Sequence, residues 1–194
     1  MPGIVLKNIC KSFGEKQVLT NLNLTLEQGG VYGLMGPSGQ GKTTLLRILA
    51  GLETADSGKI TGLTNLRRGM VFQENRLLEF ADPVTNVLFA APKGVTRSET
   101  EKHLREVLPD ADLSQSISAY SGGMKRRVAL VRAVLPPSDL LLLDEPFTGL
   151  DEHTKGIVID YLLGHRDGRT LVFSTHDPKD LTVLQGTRIS LTAE

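Results

Sequence analysis

The sequence predicts an α/β fold: a core of mainly parallel sheet with helices, an N-terminal antiparallel β subdomain and an inserted α-helical subdomain. Three observations support this fold class. A glycine-rich loop follows a short apolar stretch, Val31–Met35, and leads into a stretch with helical character. A fully apolar run, Leu140–Leu143, is typical of a parallel strand that is covered on both faces. Near the N-terminus, residues 4–9 and 22–26 alternate or run apolar between polar residues, which favours antiparallel strands.

The loop after Val31–Met35 carries the pattern G-x-x-x-x-G-K-T. Its residues are Gly36, Pro37, Ser38, Gly39, Gln40, Gly41, Lys42 and Thr43. Glycines let successive backbone N–H groups turn inward around phosphates, lysine adds a positive charge for the β- and γ-oxygens, and threonine supplies a hydroxyl ligand for Mg²⁺. Residues 44–50 read as a helix that ends at Gly51, so a helix N-terminus faces the anion. The loop therefore predicts a nucleoside triphosphate site, and a chance glycine-rich turn is the disfavoured alternative.

The apolar run Leu140–Leu143 ends abruptly in two carboxylates, Asp144 and Glu145. Ligands of parallel sheets bind at the carboxyl ends of the strands, so we expect both acids near the phosphates. Asp144 is suited to the Mg²⁺ shell, and Glu145 is placed to orient or deprotonate the attacking water. The alternative is an ordinary junction between a strand and a turn. It is disfavoured because the chain also carries the phosphate loop.

A second glycine pair, in Tyr120-Ser121-Gly122-Gly123, precedes a helical pattern that continues through Val134. Ser121 is a good N-cap, and glycines at a helix start leave N–H groups open for an anion, although their helix propensity is poor. Because the phosphate loop is already complete, this helix end suggests a contact made in trans. The following Lys125-Arg126-Arg127 cluster is expected to be a solvated helix face.

With these motifs in place, the chain resembles an ATP-binding cassette (ABC) subunit, the ATP-binding engine of membrane transporters. Ser121-Gly122-Gly123 matches the core of that family's signature, and the resemblance covers nearly the whole chain, from Lys7 to Ile189. It implies that Gln73 is the Q-loop glutamine, which touches Mg²⁺ and senses the transmembrane partner. Gly149-Leu150-Asp151 matches the D-loop, His176 matches the switch histidine at the γ-phosphate, and Phe13 falls where the family places a ring on adenine.

The resemblance thereby implies a set of site residues. The catalytic residues are Lys42, Gln73, Glu145 and His176. Contacts to ATP come from Phe13, from residues 36–43 with Thr44, and from Ser121, Gly122, Gly123 and Asp151. The Mg²⁺ ligands are Thr43, Gln73 and Asp144.

We expect one domain over residues 1–194. Residues 1–72 and 136–194 form the nucleotide-binding core in this prediction, and residues 73–135 form the Q-loop, helical lobe and signature helix. Inside the lobe, Ser98-Glu99-Thr100-Glu101 predicts a capping box at a helix start. His103, His153 and His165 have no partners at ligand spacing, so we expect them on the surface.

Composition limits the classes of function. Lys plus Arg and Asp plus Glu both number 22, so bulk charge does not favour a nucleic-acid partner. Cys10 is the single cysteine, which rules out an internal disulfide and suits a reducing cytosol. No apolar stretch approaches the roughly 20 residues that span a bilayer, and Met1-Pro2-Gly3 opens no signal peptide. We therefore expect a cytoplasmic protein, peripheral on the inner face of the membrane, whose membrane function depends on another polypeptide.

The function implied by the resemblance is that of an ATP-hydrolysing subunit powering solute transport through a separate permease, most similar to importers of nitrate, sulfonates and taurine. The expected partners are permease subunits, a second ATP-binding subunit that is identical or closely homologous, and an extracytoplasmic solute-binding protein. Two alternatives stay open. A soluble cassette ATPase of DNA repair or ribosomes usually carries two cassettes or a long coiled coil. A nonhydrolytic ATP-gated module is disfavoured by the intact Glu145 and His176.

Overall fold

The computed structural model describes residues 3–191 of the 194-residue chain, so the expectation about a signal peptide rests partly on Met1 and Pro2, which lie outside the described residues. The described chain divides into two compact units. The core unit comprises residues 3–70, 138–144 and 168–191, and the helical unit comprises residues 71–137 and 145–167.

The strands belong to the core unit, apart from the last residue of β5, and the three longest helices all belong to the helical unit. The strands are β1 (Ile4–Phe13), β2 (Lys16–Leu26), β3 (Val31–Met35), β4 (Ser57–Thr61), β5 (Arg68–Val71), β6 (Leu140–Leu143), β7 (Thr170–Thr175) and β8 (Thr187–Ser190). The helices are α1 (Lys42–Ala50), α2 (Pro83–Leu88), α3 (Arg97–Val107), α4 (Gly122–Val134), α5 (Glu152–Gly164) and α6 (Pro178–Val183). Between residues 3 and 191, no helix has the length and apolar character needed to cross a bilayer.

The N-terminal segments form the antiparallel sheet that their alternation predicts. Its strand order is β2-β1-β4, and β1 pairs antiparallel with both neighbours. Inward side chains such as Ile4, Leu6 and Leu26 are buried and join the same hydrophobic core as Leu45 and Leu49 of α1. The antiparallel sheet, α1 and the buried face of the second sheet therefore share one core within this unit.

The second sheet has the order β5-β6-β7-β3-β8, and its pairs β6/β7, β7/β3 and β3/β8 are parallel. Every residue of β3, β6 and β7 is buried, which explains why β6 is fully apolar and why β3 and the centre of β7 are mostly apolar. In the register, Met35 lies opposite Thr175, and Leu143 lies opposite Phe173. The carboxyl ends of three neighbouring strands therefore meet at one edge of the sheet, and the predicted α/β class is confirmed.

The start of α3 differs from its prediction. The side chain of Thr96, rather than that of Ser98, caps this helix and accepts a hydrogen bond of 3.2 Å from the backbone of Glu99. The capping-box spacing fits both start points, since a Glu follows each residue at the third position. The earlier start has a packing advantage, because the buried Thr100 hydroxyl then donates to the carbonyl of Thr96 at 3.0 Å.

Candidate functional site

The phosphate loop begins where β3 ends and leads directly into α1. Gly41 precedes the helix with a φ of 87°, in the left-handed region. A Cβ at this position would lie 2.8 Å from Leu19 and 2.9 Å from the carbonyl oxygen of Val18, so conformation and space both require glycine. The Lys42 side chain is buried, and its Nζ donates to the carbonyls of Gly36 at 2.6 Å and Pro37 at 2.9 Å. The ammonium group of Lys42 therefore lies against the backbone of the loop that is predicted to bind the phosphates.

Three predicted site segments follow neighbouring strands of the parallel sheet. Gly36 follows β3, His176 follows β7, and Asp144 follows β6. Asp144 is only 2% exposed, and its Oδ1 accepts a 2.7 Å hydrogen bond from the hydroxyl of Ser174 on β7. His176 is exposed at the end of the adjacent strand. The core unit therefore brings a phosphate-type loop, a buried carboxylate and an exposed imidazole to the same edge.

The ring of Phe13 lies at the end of β1 and is 50% exposed. The ammonium of Lys11 lies 5.1 Å from the centroid of this ring, and it also pairs with Glu53 at 2.8 Å and Asp56 at 3.1 Å. The ring is not part of the hydrophobic core. It is therefore available for stacking, which is the role predicted for it.

In the helical unit, Ser121 caps α4 as predicted, and its hydroxyl accepts a 3.2 Å hydrogen bond from the backbone of Met124. The two glycines that follow have different surroundings. A Cβ on Gly122 would meet no described heavy atom within 4 Å. A Cβ on Gly123 would lie 3.3 Å from the side chain of Leu150 and 3.4 Å from the carbonyl of Gly149. One glycine is thus open to a ligand, and the other allows close packing on the predicted D-loop.

A cleft of about 510 Å³ brings the predicted motifs of the helical unit together. Its lining includes Gln73, Ser121, Gly122, Arg127 and Asp151. The carboxylate of Asp151 caps α5 and accepts hydrogen bonds from the backbone and hydroxyl of Thr154 at 2.8 and 2.9 Å. These bonds hold the pKa of Asp151 below its ordinary value, so this acid is anionic at neutral pH.

Arg126 corrects the expectation that residues 125–127 form a solvated helix face. Its side chain is only 4% exposed, and the neighbouring Arg127 donates to the carbonyl of Val107 at 2.7 Å. Nη1 of Arg126 donates to the carbonyls of Phe72 and Gln73, and Nη2 donates to the carbonyl of Glu145. Tertiary contacts explain this burial. The irregular backbone around Gln73 and at Glu145 has carbonyl groups that need hydrogen-bond donors, and the guanidinium of Arg126 supplies them.

A sequence signal for this burial did exist. Arg126 lies on the same stripe of α4 as Ala129, Leu130 and Ala133, which are all small or apolar and all buried. Arg132, six residues further along, donates to the carbonyls of Asn75 at 2.7 Å and Arg76 at 2.6 Å. Two arginines of one helix therefore hold the segment that carries Gln73.

Glu145 adopts an uncommon backbone conformation. Its φ is 49°, in the left-handed region that glutamate rarely occupies. Its carbonyl accepts the bond from Arg126, and its carboxylate accepts a 3.2 Å hydrogen bond from the hydroxyl of Thr148. Such a conformation costs free energy and persists where the surroundings enforce it, often at functional sites.

This chain is similar in sequence to known proteins over most of its length. The sequence profile of the ABC transporter family matches residues 19–148. The chain is 41% identical to the sulfate/thiosulfate import ATP-binding protein CysA of Vibrio cholerae, in an alignment covering 90% of this chain and 52% of that protein. It is 40% identical to the aliphatic sulfonates import ATP-binding protein SsuB 1 of Nocardia farcinica, over 90% of this chain and 71% of that protein. The chain thus spans about half the length of the first of these relatives.

A solved structure shares the fold along almost the entire chain. The ATP-binding cassette MJ0796, in a dimeric post-hydrolysis state bound to ADP and Pi, superimposes with a TM-score of 0.83 at 27% sequence identity. The match covers 97% of this chain and 94% of that one.

Proposed function

Because this chain belongs to the ABC transporter family, we propose that it binds and hydrolyses ATP to power the passage of a small solute through a separate permease. The observation that carries the proposal is the edge of the parallel sheet, where Gly36, His176 and Asp144 follow three neighbouring strands. A backbone nest for phosphates, a carboxylate for a metal ion and an imidazole for the γ-phosphate are the groups that phosphoryl transfer to water requires. Glu145, the next residue after Asp144, supplies the base that orients or deprotonates the water.

The donor set in the core unit fits Mg²⁺. The Thr43 hydroxyl, in the first turn of α1, and the buried Asp144 carboxylate offer the oxygen ligands that this ion prefers. Gln73 is assigned as a further ligand from the family resemblance. An ion held by these residues would supply positive charge that offsets the negative charge developing on the phosphates during hydrolysis. Ser174 holds the Asp144 carboxylate in place, and Lys42 supplies positive charge for the same phosphates.

A second ATP-binding subunit completes the site in this proposal. Ser121 and Gly122 are exposed at the start of α4, and Gly122 has open space around its Cα. The N-terminus of this helix carries unpaired N–H groups suited to a γ-phosphate bound on another chain. Two such contacts, each from one chain to the other, generate a two-fold dimer in which ATP is the shared ligand. The dimeric state of MJ0796 supports this arrangement.

Two aromatic side chains give the helical unit a surface for the permease. Phe80 and Phe89, on either side of α2, are 84% and 81% exposed, the highest values for large apolar residues in the described chain. Contiguous exposed apolar surface marks interaction sites, and we assign both rings to such a site. Arg126 and Arg132 of α4 hold the segment around Gln73, and α2, which lies between the two phenylalanines, packs on the same helix. Helix α4 therefore supports both the proposed permease surface and the Gln73 segment. The subunit then works at the cytoplasmic face of the membrane.

The proposed cargo class rests on the relatives. Both named relatives are import subunits for oxidised sulfur compounds, sulfate and thiosulfate in one case and aliphatic sulfonates in the other. A small anion of this type, delivered by an extracytoplasmic solute-binding protein, is the cargo that we assign to the whole transporter. The ATP-binding subunit recognises no part of it, so the permease sets the specificity.

The first experiment compares Lys42→Ala with Lys59→Ala, a matched change of an exposed lysine on β4. Loss of charge-assisted bonds to the phosphates should weaken MgATP binding or turnover by about 10- to 100-fold in the first variant alone. Equal ATPase activity in both variants would contradict the assignment of the loop. Affinity capture from cell extracts and membranes then tests the role in transport. Recovery of a ribosomal or DNA-repair partner instead of a permease would overturn that role in favour of a soluble ATPase.

A further inference from the structure

Three side chains of the helical unit form a cluster that the proposed ATPase does not use. They are His103 and Glu106 on α3, and His165 at the C-terminal end of α5. Sequence reasoning placed the two histidines on the surface without partners, and this expectation is wrong. Both are half-buried, their ring centroids lie 4.6 Å apart, and packing of α3 on α5 brings them together.

The chemistry of the cluster is that of a metal ligand set. One potential ligand atom from each of the three residues lies within 4.8 Å of the others. His103 and Glu106 are three positions apart, on the same face of one helix, and Nε2 of His165 lies 2.7 Å from the Glu106 carboxylate. Two imidazoles and one carboxylate are a frequent protein ligand set for Zn²⁺, with metal–ligand distances of about 2.0–2.2 Å. Closing the cluster around an ion requires side-chain shifts of about 1 Å, which the exposed Glu106 and half-buried His103 allow.

A further group orients one of the imidazoles. Nδ1 of His103 forms a 3.0 Å hydrogen bond with the hydroxyl of Tyr161, a buried residue on α5 whose ring meets the imidazole edge-on. A histidine that binds a metal through one nitrogen usually uses its other nitrogen in such a bond, which fixes its ring and tautomer. In the tautomer whose Nδ1–H donates to the Tyr161 hydroxyl, Nε2 of His103 is the nitrogen that offers a lone pair.

We propose that His103, Glu106 and His165 bind one divalent transition-metal ion of the Zn²⁺ type, with Tyr161 as a positioning residue. The ion joins α3 to the end of α5 and completes its coordination with water, since three protein ligands leave one tetrahedral position. Its effect is on the stability of the helical unit, because binding to the folded state alone stabilises that state. The site is independent of the nucleotide site, whose proposed metal ligands are other residues.

An ion pair between Glu106 and His165 would explain one hydrogen bond of the cluster, and the contact with Tyr161 explains another. Neither accounts for two imidazoles whose ring centroids lie 4.6 Å apart. A pair has no use for a second imidazole beside the first, because two protonated rings repel each other. A metal ion uses both rings in their neutral form together with the carboxylate. The whole geometry therefore favours the ion.

The test uses the full-length protein without an affinity tag, stripped with a chelator and kept in excess Mg²⁺ to occupy ordinary carboxylate sites. Calorimetric titration with Zn²⁺ should show one ion per chain, and saturating Zn²⁺ should raise the Tm by roughly 5 °C. Co²⁺ in place of Zn²⁺ should give a visible absorption band typical of tetrahedral nitrogen and oxygen ligands. Neither readout involves ATP hydrolysis. The metal site can therefore be disproved while the ATPase function holds, and the ATPase function can be disproved while the metal site holds.

Variants identify the ligands. Glu106→Gln keeps the size of an exposed side chain and should weaken Zn²⁺ binding by about 100-fold, and His165→Ala should act likewise, whereas the conservative Tyr161→Phe should cost about 10-fold. His153→Ala, at an exposed histidine in the first turn of α5, is the matched control and should bind as the parent does. Circular dichroism of each metal-free variant checks its folding. Absence of stoichiometric binding by the folded parent, or equal binding by Glu106→Gln and the parent, would overturn the proposal.

Discussion

Arg126 and Glu145 are joined by a hydrogen bond of 2.5 Å, from Nη2 of the guanidinium to the main-chain carbonyl of the glutamate. The same guanidinium donates through Nη1 to the carbonyl of Gln73. One buried arginine therefore fixes the backbone of the proposed base and of Gln73, the proposed Mg²⁺ ligand and sensor of the permease. Since Glu145 has a left-handed backbone, this bond helps to keep its side chain in the orientation that the fold imposes.

Arg126→Lys should lower kcat for ATP hydrolysis by about 10- to 100-fold while leaving KM for ATP nearly unchanged, because misplaced catalytic groups slow chemistry more than they weaken binding. Lysine keeps the charge but lacks the planar fork that serves Glu145 and Gln73 together. Arg105→Lys is the control, since this exposed arginine also donates to two carbonyls of the helical unit. Steady-state kinetics measure the effect. A lower Tm with unchanged kcat and KM would indicate a purely structural role for Arg126, and a rise in KM alone would indicate a role in nucleotide binding.

Phe13→Ala should raise KM for ATP by about tenfold, because stacking of a base on an aromatic ring is worth roughly 1–3 kcal/mol. Phe13→Tyr keeps the stacking face and should be close to neutral. The half-exposed ring contributes little to the core, so the nucleotide-free Tm should stay within a degree or so of the parent. A lower Tm with unchanged KM would show that the ring serves folding instead of adenine binding.

Glu145→Gln should slow ATP hydrolysis by about 10²-fold or more, since the amide keeps size and hydrogen bonding but loses the basic carboxylate. ATP then persists between two chains, so this variant should elute as a dimer with ATP and as a monomer with ADP in size-exclusion chromatography. High protein concentration and saturating ATP favour the dimer. Parent-level hydrolysis by Glu145→Gln would place the catalytic base elsewhere.

Adding Ser121→Arg to Glu145→Gln should abolish the ATP-dependent dimer, because a bulky side chain at the exposed start of α4 obstructs the approach of a partner's γ-phosphate. Arg105→Ala in the same background is the control for a change elsewhere on the helical surface. Persistence of the dimer in the Ser121 double variant would contradict a site shared by two chains.

Thr96→Ala should reduce the free energy of unfolding by about 1 kcal/mol, the usual cost of removing an N-cap, whereas Ser98→Ala should change it very little. Thr96 caps α3 through the backbone of Glu99, while Ser98 lies inside the first turn. Chemical denaturation of both variants measures the difference. A larger loss for Ser98→Ala would restore the start point that the sequence pattern suggested.

The successes and failures of sequence reasoning have a common physical origin. The loop ending in Lys42, the buried run before Asp144 and the cap at Ser121 are determined by neighbours along the chain, so pattern and spacing predicted them. The positions of Arg126 and His165 depend on partners 50 or more residues away, at Phe72 and Glu106 respectively. The charged cluster suggested solvent for Arg126, and the lack of partners at ligand spacing suggested it for His165. The distant backbone or carboxylate that needs a donor is not identified by any local pattern.

The open space around Gly122 lets folding and function be separated by mutational scanning. Gly41 has a left-handed φ, and a methyl group added there would have neighbours within 3 Å, so a library selected only for folded protein should already lack other residues at this position. Gly122 has an ordinary φ and no described atom within 4 Å of the place that a methyl group would take, so alanine should survive the same selection. A second selection then makes growth depend on the protein. If Gly122 variants are lost only in that selection, Gly122 lies on a surface that contacts another molecule.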